Sequence, residues 1–276
     1  MNNSFSWARV RLLIRRYLNE NSRQLWMAVG VVFGIMFLLA LLFNSFDMRD
    51  NAFGVVIWFT FLFIGSLAVE VSASLTFSSM STKPRRIVAM MVPASKAEKF
   101  VSLMLIYNVF GPIAILLSAL AADALSAGLH LHAPYFFDAF KLLFTIFPQI
   151  DFSELSGHWG QVTEAIALIV LGLASMFFFN QSVYTLGSAL WPKKSFIKTF
   201  CALYVIQMVL SILLSIGLLN HNWILDMLSC INFEDVSWHL VIWGAMIVWY
   251  AIIIAIFWAA WRRYKNTQLV QKFMMN

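Results

Sequence analysis

Glu70 lies deep inside an apolar run, residues 53–77, with serines one helical turn away on both sides, so that Ser66, Glu70, Ser74 and Ser78 recur at every fourth position. A charge in hydrocarbon is strongly disfavoured, which makes an ionisable group there a functional candidate, able to take up a proton or hold a cation. The plainer role is a protonated, hydrogen-bonded structural carboxyl, because no Lys, Arg or His stands deep within another apolar run to relay the proton. Two more rows have nearly the same period: Gln181, Thr185 and Ser188, then Tyr204, Gln207, Ser211 and Ser215. Unpaired polar groups cost several kcal/mol in hydrocarbon, so these faces are expected to turn toward protein or a water-filled cavity.

Enzymatic apparatus is missing from the sequence. There is no GxxxxGK[ST] loop to cradle ATP, no HExxH, no GxSxG and no pair of aspartates within the apolar runs. His130, His132 and His158 fall in one polar loop without cysteine or ordered carboxylate spacing, a weak metal set best read as surface histidines. Cys201 and Cys230 are expected near opposite membrane faces, too far apart for a disulfide.

The elements that carry these rows are membrane spans. Of the 276 residues 61% are hydrophobic and 12% charged, with mean hydropathy +0.80, more apolar surface than a water-soluble fold can bury. Phe, Trp and Met supply much of the excess and suit lipid contact and the headgroup boundary. A spanning helix needs about 20 apolar residues. Six segments meet that length: 24–43, 53–77, 99–122, 163–190, 197–219 and 239–261. The first is too long for a signal-peptide core, and no small-x-small cleavage pattern follows Leu42, so it reads as a retained anchor. The fold class is therefore all-α, a single polytopic transmembrane domain over 1–276.

A net charge of +6 in a soluble chain suggests nucleic acid, but its placement here points to topology. Lys and Arg collect before span 1, between spans 2 and 3, between spans 4 and 5, and in the tail 262–276; only Arg49 and Lys141 fall on the other side. The positive-inside rule then places both termini in the cytoplasm, with the chain in the inner membrane. The acidic residues distribute oppositely, with Glu20 and Glu98 inside and Glu70 within span 2. The long outer loop 123–161 is rich in Phe and is expected to lie along the outer interface as short amphipathic helices.

Two cytoplasmic pieces stand out. Residues 1–23 form an amphipathic helix, with Trp7, Val10, Leu13, Ile14, Tyr17 and Leu18 on one face and Arg9, Arg11, Arg15 and Arg16 opposite. Its apolar face is expected to enter the inner leaflet, and its arginines to meet anionic headgroups at about 1 kcal/mol each. Between spans 2 and 3, Thr82 caps a short helix that has Pro84 in its first turn and stops at Pro93, while Ser95 and Glu98 have capping-box spacing for the next. Ile87, Met90 and Met91 make a small apolar face flanked by Arg85 and Arg86. Such a bracket either receives a soluble partner or lies against the chain's own surface.

This arrangement resembles the permease subunits of type-2 ATP-binding-cassette exporters, in particular small six-span bacterial forms. The resemblance rests on the arginine-rich helix before span 1, the bracket from Thr82 to Lys99, a polar insertion before the last span, and the phrase Met90-Met-Val-Pro-Ala-Ser-Lys-Ala-Glu-Lys-Phe100. It implies that residues 4–22 are a connecting helix and that Lys83 to Val92, with Lys83, Arg85, Arg86, Ile87, Met90 and Met91, form the coupling helix that enters a separate ATPase. It implies that Ser66, Glu70 and Ser74 of span 2 and Gln207, Ser211 and Ser215 of span 5 line a pathway between two permease copies, identical or not. ATP and magnesium would be bound by the partner subunit; this chain holds no cofactor or metal and no nucleic acid. Asn220–Trp238 would be a hairpin near the outer leaflet, and the long loop between spans 3 and 4 departs from the family pattern. The aromatic, Met-rich interior points to an amphipathic or lipid-like cargo. An ion-coupled carrier using Glu70, or a scaffold without transport, remain the other readings.

Overall fold

The computed structural model describes residues 5–45, 51–130, 159–219 and 238–266. Among these the chain is helical and without strands: α1 (Trp7–Glu20), α2 (Ser22–Ser45), α3 (Asn51–Ser74), α4 (Lys83–Met91), α5 (Lys96–Leu105), α6 (Gly111–His130), α7 (Trp159–Leu190), α8 (Ser195–Leu219) and α9 (Trp238–Lys265). A 3-10 turn at Ser78–Met80 precedes α4, and a π-helical turn at Ile106–Phe110 joins α5 to α6. The Phe-rich loop beyond 130, the 220–237 insertion, Cys230 and the end of the tail lie outside the described residues.

Local chemistry accounts for the boundaries. Thr82 is extended at the α4 N-cap, and Pro84 follows in the first turn, where a missing N–H breaks no bond. The helix stops before Pro93, which disfavours helical backbone in Val92. At α5, Ser95 Oγ accepts from the Glu98 amide and Glu98 accepts from the Ser95 amide, a complete capping box. Pro112 has no amide hydrogen to offer Asn108. The chain answers with the π turn, in which the Gly111 amide reaches back to the Ile106 carbonyl.

Five helical stretches are long and apolar enough to cross a membrane by length and composition, the make-up of a multi-pass membrane protein: Ser22–Leu42, Lys96–Leu129, Ile166–Leu190, Ser195–Leu213 and Leu240–Lys265. Within α3 the apolar stretch Thr60–Ser74 is shorter. The boundaries shift from the sequence expectation in two places. The helix of span 2 ends at Ser74, short of residue 77. That of span 3 continues to His130, so Asp123 and Ser126, expected at the start of a loop, are buried between helices.

The helices pack in a row: α2 on α6, α6 on α3, α3 on α7, and α7 on both α9 and α8. At one end a tight core closes the row, with Phe77, Met80, Leu103, Ile106, Tyr107 and Tyr264 buried together and Ile14, Tyr17, Phe100 and Trp261 packed around them. Phe77 stacks on Tyr264 at 5.2 Å. This core brings α1 and the C-terminal end of α9 to the same end of the bundle. Lys96 Nζ donates to the Lys265 carbonyl at 2.7 Å, capping the end of α9. At the far end, Trp243 Nε1 donates to Glu164 at 2.8 Å, and Tyr250 donates to the Leu171 carbonyl at 2.8 Å, tying α9 to α7.

Candidate functional site

The bracket stands at the closed end of the bundle. Of its side chains, Lys83, Arg85, Ile87, Val88 and Met91 are exposed, with Met91 at 75%. Arg86 folds back and donates to the Met80 carbonyl at 3.3 Å. The Met90 side chain is outside the described ones. The α4 helix rests on the 3-10 turn before it, so one apolar edge and two cations face outward.

Immediately after the bracket, Glu98 is fully buried and takes two donors beside its own capping box: its Oε1 lies 2.9 Å from Arg9 Nη2 and 2.8 Å from the Ser6 amide nitrogen, while Oε2 takes the capping-box amide of Ser95 at 2.9 Å. The start of α1 is thus clamped to the start of α5. Val10 is buried and Ile14 and Tyr17 pack on the core, so the middle of the α1 apolar face rests on protein, where the sequence suggested lipid. Trp7, 66% exposed, and Leu18 stay outward. Of the arginines, Arg9 pairs with Glu98, Arg16 with Glu20 at 2.6 Å, and Arg11 and Arg15 are exposed. The Tyr17 hydroxyl meets that of Tyr107 at 2.6 Å; burial, then the neighbouring Tyr107, pushes the Tyr17 phenol well above its ordinary value.

Within the span the polar residues meet where the ladder breaks. The Asn108 carbonyl, left without a donor by Pro112, accepts from Gln181 Nε2 at 3.2 Å; the Tyr107 carbonyl accepts from Ser72 at 2.9 Å; Asn108 Oδ1 accepts from Thr185 at 3.1 Å. A Cβ on Gly111 would fall inside contact distance of Ser72 Oγ, so only glycine lets α3 come this close. Glu70 shares a hydrogen bond with Tyr184, which is buried and stacked on Phe196 at 5.5 Å.

The remaining row members divide. Ser74 is buried and donates to the Val71 carbonyl at 2.7 Å, and Ser66 is exposed and donates to the Phe63 carbonyl at 2.8 Å. On α8 the row points outward: Tyr204, Gln207, Ser211 and Ser215 are exposed, as is every side chain from Tyr204 to Leu213. The first turns of α8 are held tightly instead, because Gly187 of α7 leaves no room for a Cβ against Thr199. Chemically the arrangement offers a hydrogen-bonded polar hinge in the span and exposed surfaces at α4 and α8. No cluster of three metal-ligating side chains occurs among the described residues.

Ser72, Asn108, Tyr184 and Asp123 were not singled out in the sequence. The signal for Asn108 was present, since it lies four residues before Pro112. Comparison with known proteins places the chain in no family: no family model, curated protein or solved structure matches it.

Proposed function

We propose that this chain is the permease of a type-2 ATP-binding-cassette exporter, with six spans, both termini in the cytoplasm and its ATPase on a separate polypeptide. The observation that carries the reading is α4. It is a nine-residue helix, with Pro84 in its first turn and Pro93 after its end, that holds Ile87, Val88 and Met91 out beside Lys83 and Arg85 at the end of the bundle where most of the basic residues collect. Exposed apolar knobs on a short rigid helix fit a groove on a soluble partner. The clamp from Glu98 to α1 gives a push on that helix a stiff path into α5 and the π turn beyond it.

The outward row on α8 supports a second permease copy. Polar side chains facing lipid lack hydrogen-bond partners, and a facing helix supplies them. Six spans follow if α3 crosses with α2, α6, α7, α8 and α9, two copies then making a pathway for an amphipathic or lipid-like cargo. The carrier reading is weaker, because the hydrogen-bond partner of Glu70 is the neutral phenol of Tyr184.

The test is a mild-detergent pull-down of tagged protein from its native membrane, wild type against Ile87→Asp plus Met91→Asp. Co-purification of an ATPase that the double substitution releases, with the thermal midpoint kept, is the expected outcome. Absence of any ATPase from the wild-type sample removes the reading.

A further inference from the structure

Where α1 crosses the start of α2, the helices do not close, and a cavity of about 620 Å³ opens between them, α4 and α5. Three cations, Arg16, Arg85 and Lys99, reach its wall against one carboxylate, Glu20, which Arg16 already holds. Asn21 and Gln24 add side-chain amides, and Ser78 and Ser79 add hydroxyls. Leu25, Ala28 and Leu75 give the wall an apolar part.

Farther along α2 lies a second crevice of about 470 Å³, largely apolar with Asp123 at its wall, between Met36 of α2, Leu62 and Val69 of α3, and Ile113, Leu116 and Ala119 of α6. Ala28 and Met36 are two helical turns apart, a rise of about 12 Å along α2. A positively charged recess at the bundle end thus lies two turns of α2 away from an apolar slot.

We propose that this seam binds an anionic membrane lipid, its phosphate headgroup in the recess beside Arg85 and Lys99 and an acyl chain in the slot by Ala119. Guanidinium and ammonium groups are the side chains that best hold phosphate, and basic pockets between spanning helices hold lipid headgroups. The recess alone would accept a free phosphate compound; the slot along α2 selects a molecule with a hydrocarbon chain. The site does not depend on an ATPase, so it stands or falls apart from the exporter reading.

The experiment is native mass spectrometry and thermal-shift titration of the full chain in mild detergent with phosphatidylglycerol, phosphatidylcholine or inorganic phosphate. Phosphatidylglycerol is expected to bind and raise the melting temperature, and Arg85→Gln with Lys99→Gln to weaken it about tenfold or more, while Lys193→Gln, exposed between α7 and α8 and away from the cavity, leaves it unchanged. Arg85→Gln alone, at an exposed position, provides the same readout if the double variant misfolds. Ala119→Trp is expected to weaken phosphatidylglycerol and to leave any response to inorganic phosphate intact. Equal stabilisation by phosphatidylcholine, stabilisation by inorganic phosphate as strong as by lipid, or unchanged lipid binding in the folded charge variants would each overturn the proposal.

Discussion

Arg9 Nη2 lies 2.9 Å from Glu98 Oε1, and the two residues belong to helices separated in sequence by all of α2, α3 and α4. Glu98 is fully buried and also closes the capping box of α5, so one carboxylate fastens α1 to the helix that continues from the bracket. Replacing Glu98 by Ala is expected to free α1. Limited trypsin digestion in detergent reads this directly: cleavage at Arg11 and Arg15 should speed up in the variant, and an unchanged rate would remove the clamp.

Gly111→Ala places a methyl group against Ser72 and is expected to cost about 1–3 kcal/mol by overpacking. Ser72→Ala removes both the clashing hydroxyl and the donor to the Tyr107 carbonyl, a loss of about 1 kcal/mol. The double variant should therefore melt higher than the sum of the single shifts predicts. Additive shifts would show that the two residues do not meet.

Gln181→Leu strands the Asn108 carbonyl and is expected to destabilise by about 1 kcal/mol. Pro112→Ala restores the missing backbone donor of the ladder, so Gln181→Leu should cost less in that background. Thermal melting of the four proteins in one detergent decides it.

Tyr17 is held neutral by burial and by Tyr107, so its phenol ionises above the ordinary value of about 10. A group with a raised native pKa contributes stability below the unfolded value and loses it as pH climbs through the native one. Stability is expected to fall from about pH 10 upward, and Tyr17→Phe should flatten that fall. A fall of the same steepness in the variant would assign it to other tyrosines.

If the chain works with an ATPase as proposed, Glu70→Gln, which keeps an acceptor for Tyr184, is expected to leave the ATPase rate of that complex unchanged, whereas Glu70→Leu, which removes the acceptor, should lower the melting temperature. Loss of transport in Glu70→Gln without any ATPase in the preparation would favour the ion-coupled carrier.

Much of the helix pattern was legible because it depends on neighbours in sequence. Apolar runs, the Ser95–Glu98 capping box, and Pro84 and Pro93 around α4 are local signals, and each has its helix, cap or boundary in the structure. Those runs fell short where helix continues past the apolar stretch: α6 carries Asp123 and Ser126 inside the bundle because neighbouring helices bury them.

What the sequence determined by itself was the place of the apolar runs, the polar rows and the gathering of basic charge, all of which follow from periodicity and composition. Only the tertiary structure decided what each row does. Three rows with the same spacing came apart: Glu70 shares a hydrogen bond with Tyr184, Gln181 and Thr185 satisfy Asn108, and the α8 row faces outward. The physical reason is that period tells which side chains share a face, whereas the partner of that face is set by packing between helices far apart in the chain, through contacts such as Gly111 on Ser72 and Gly187 on Thr199 that allow backbones to approach.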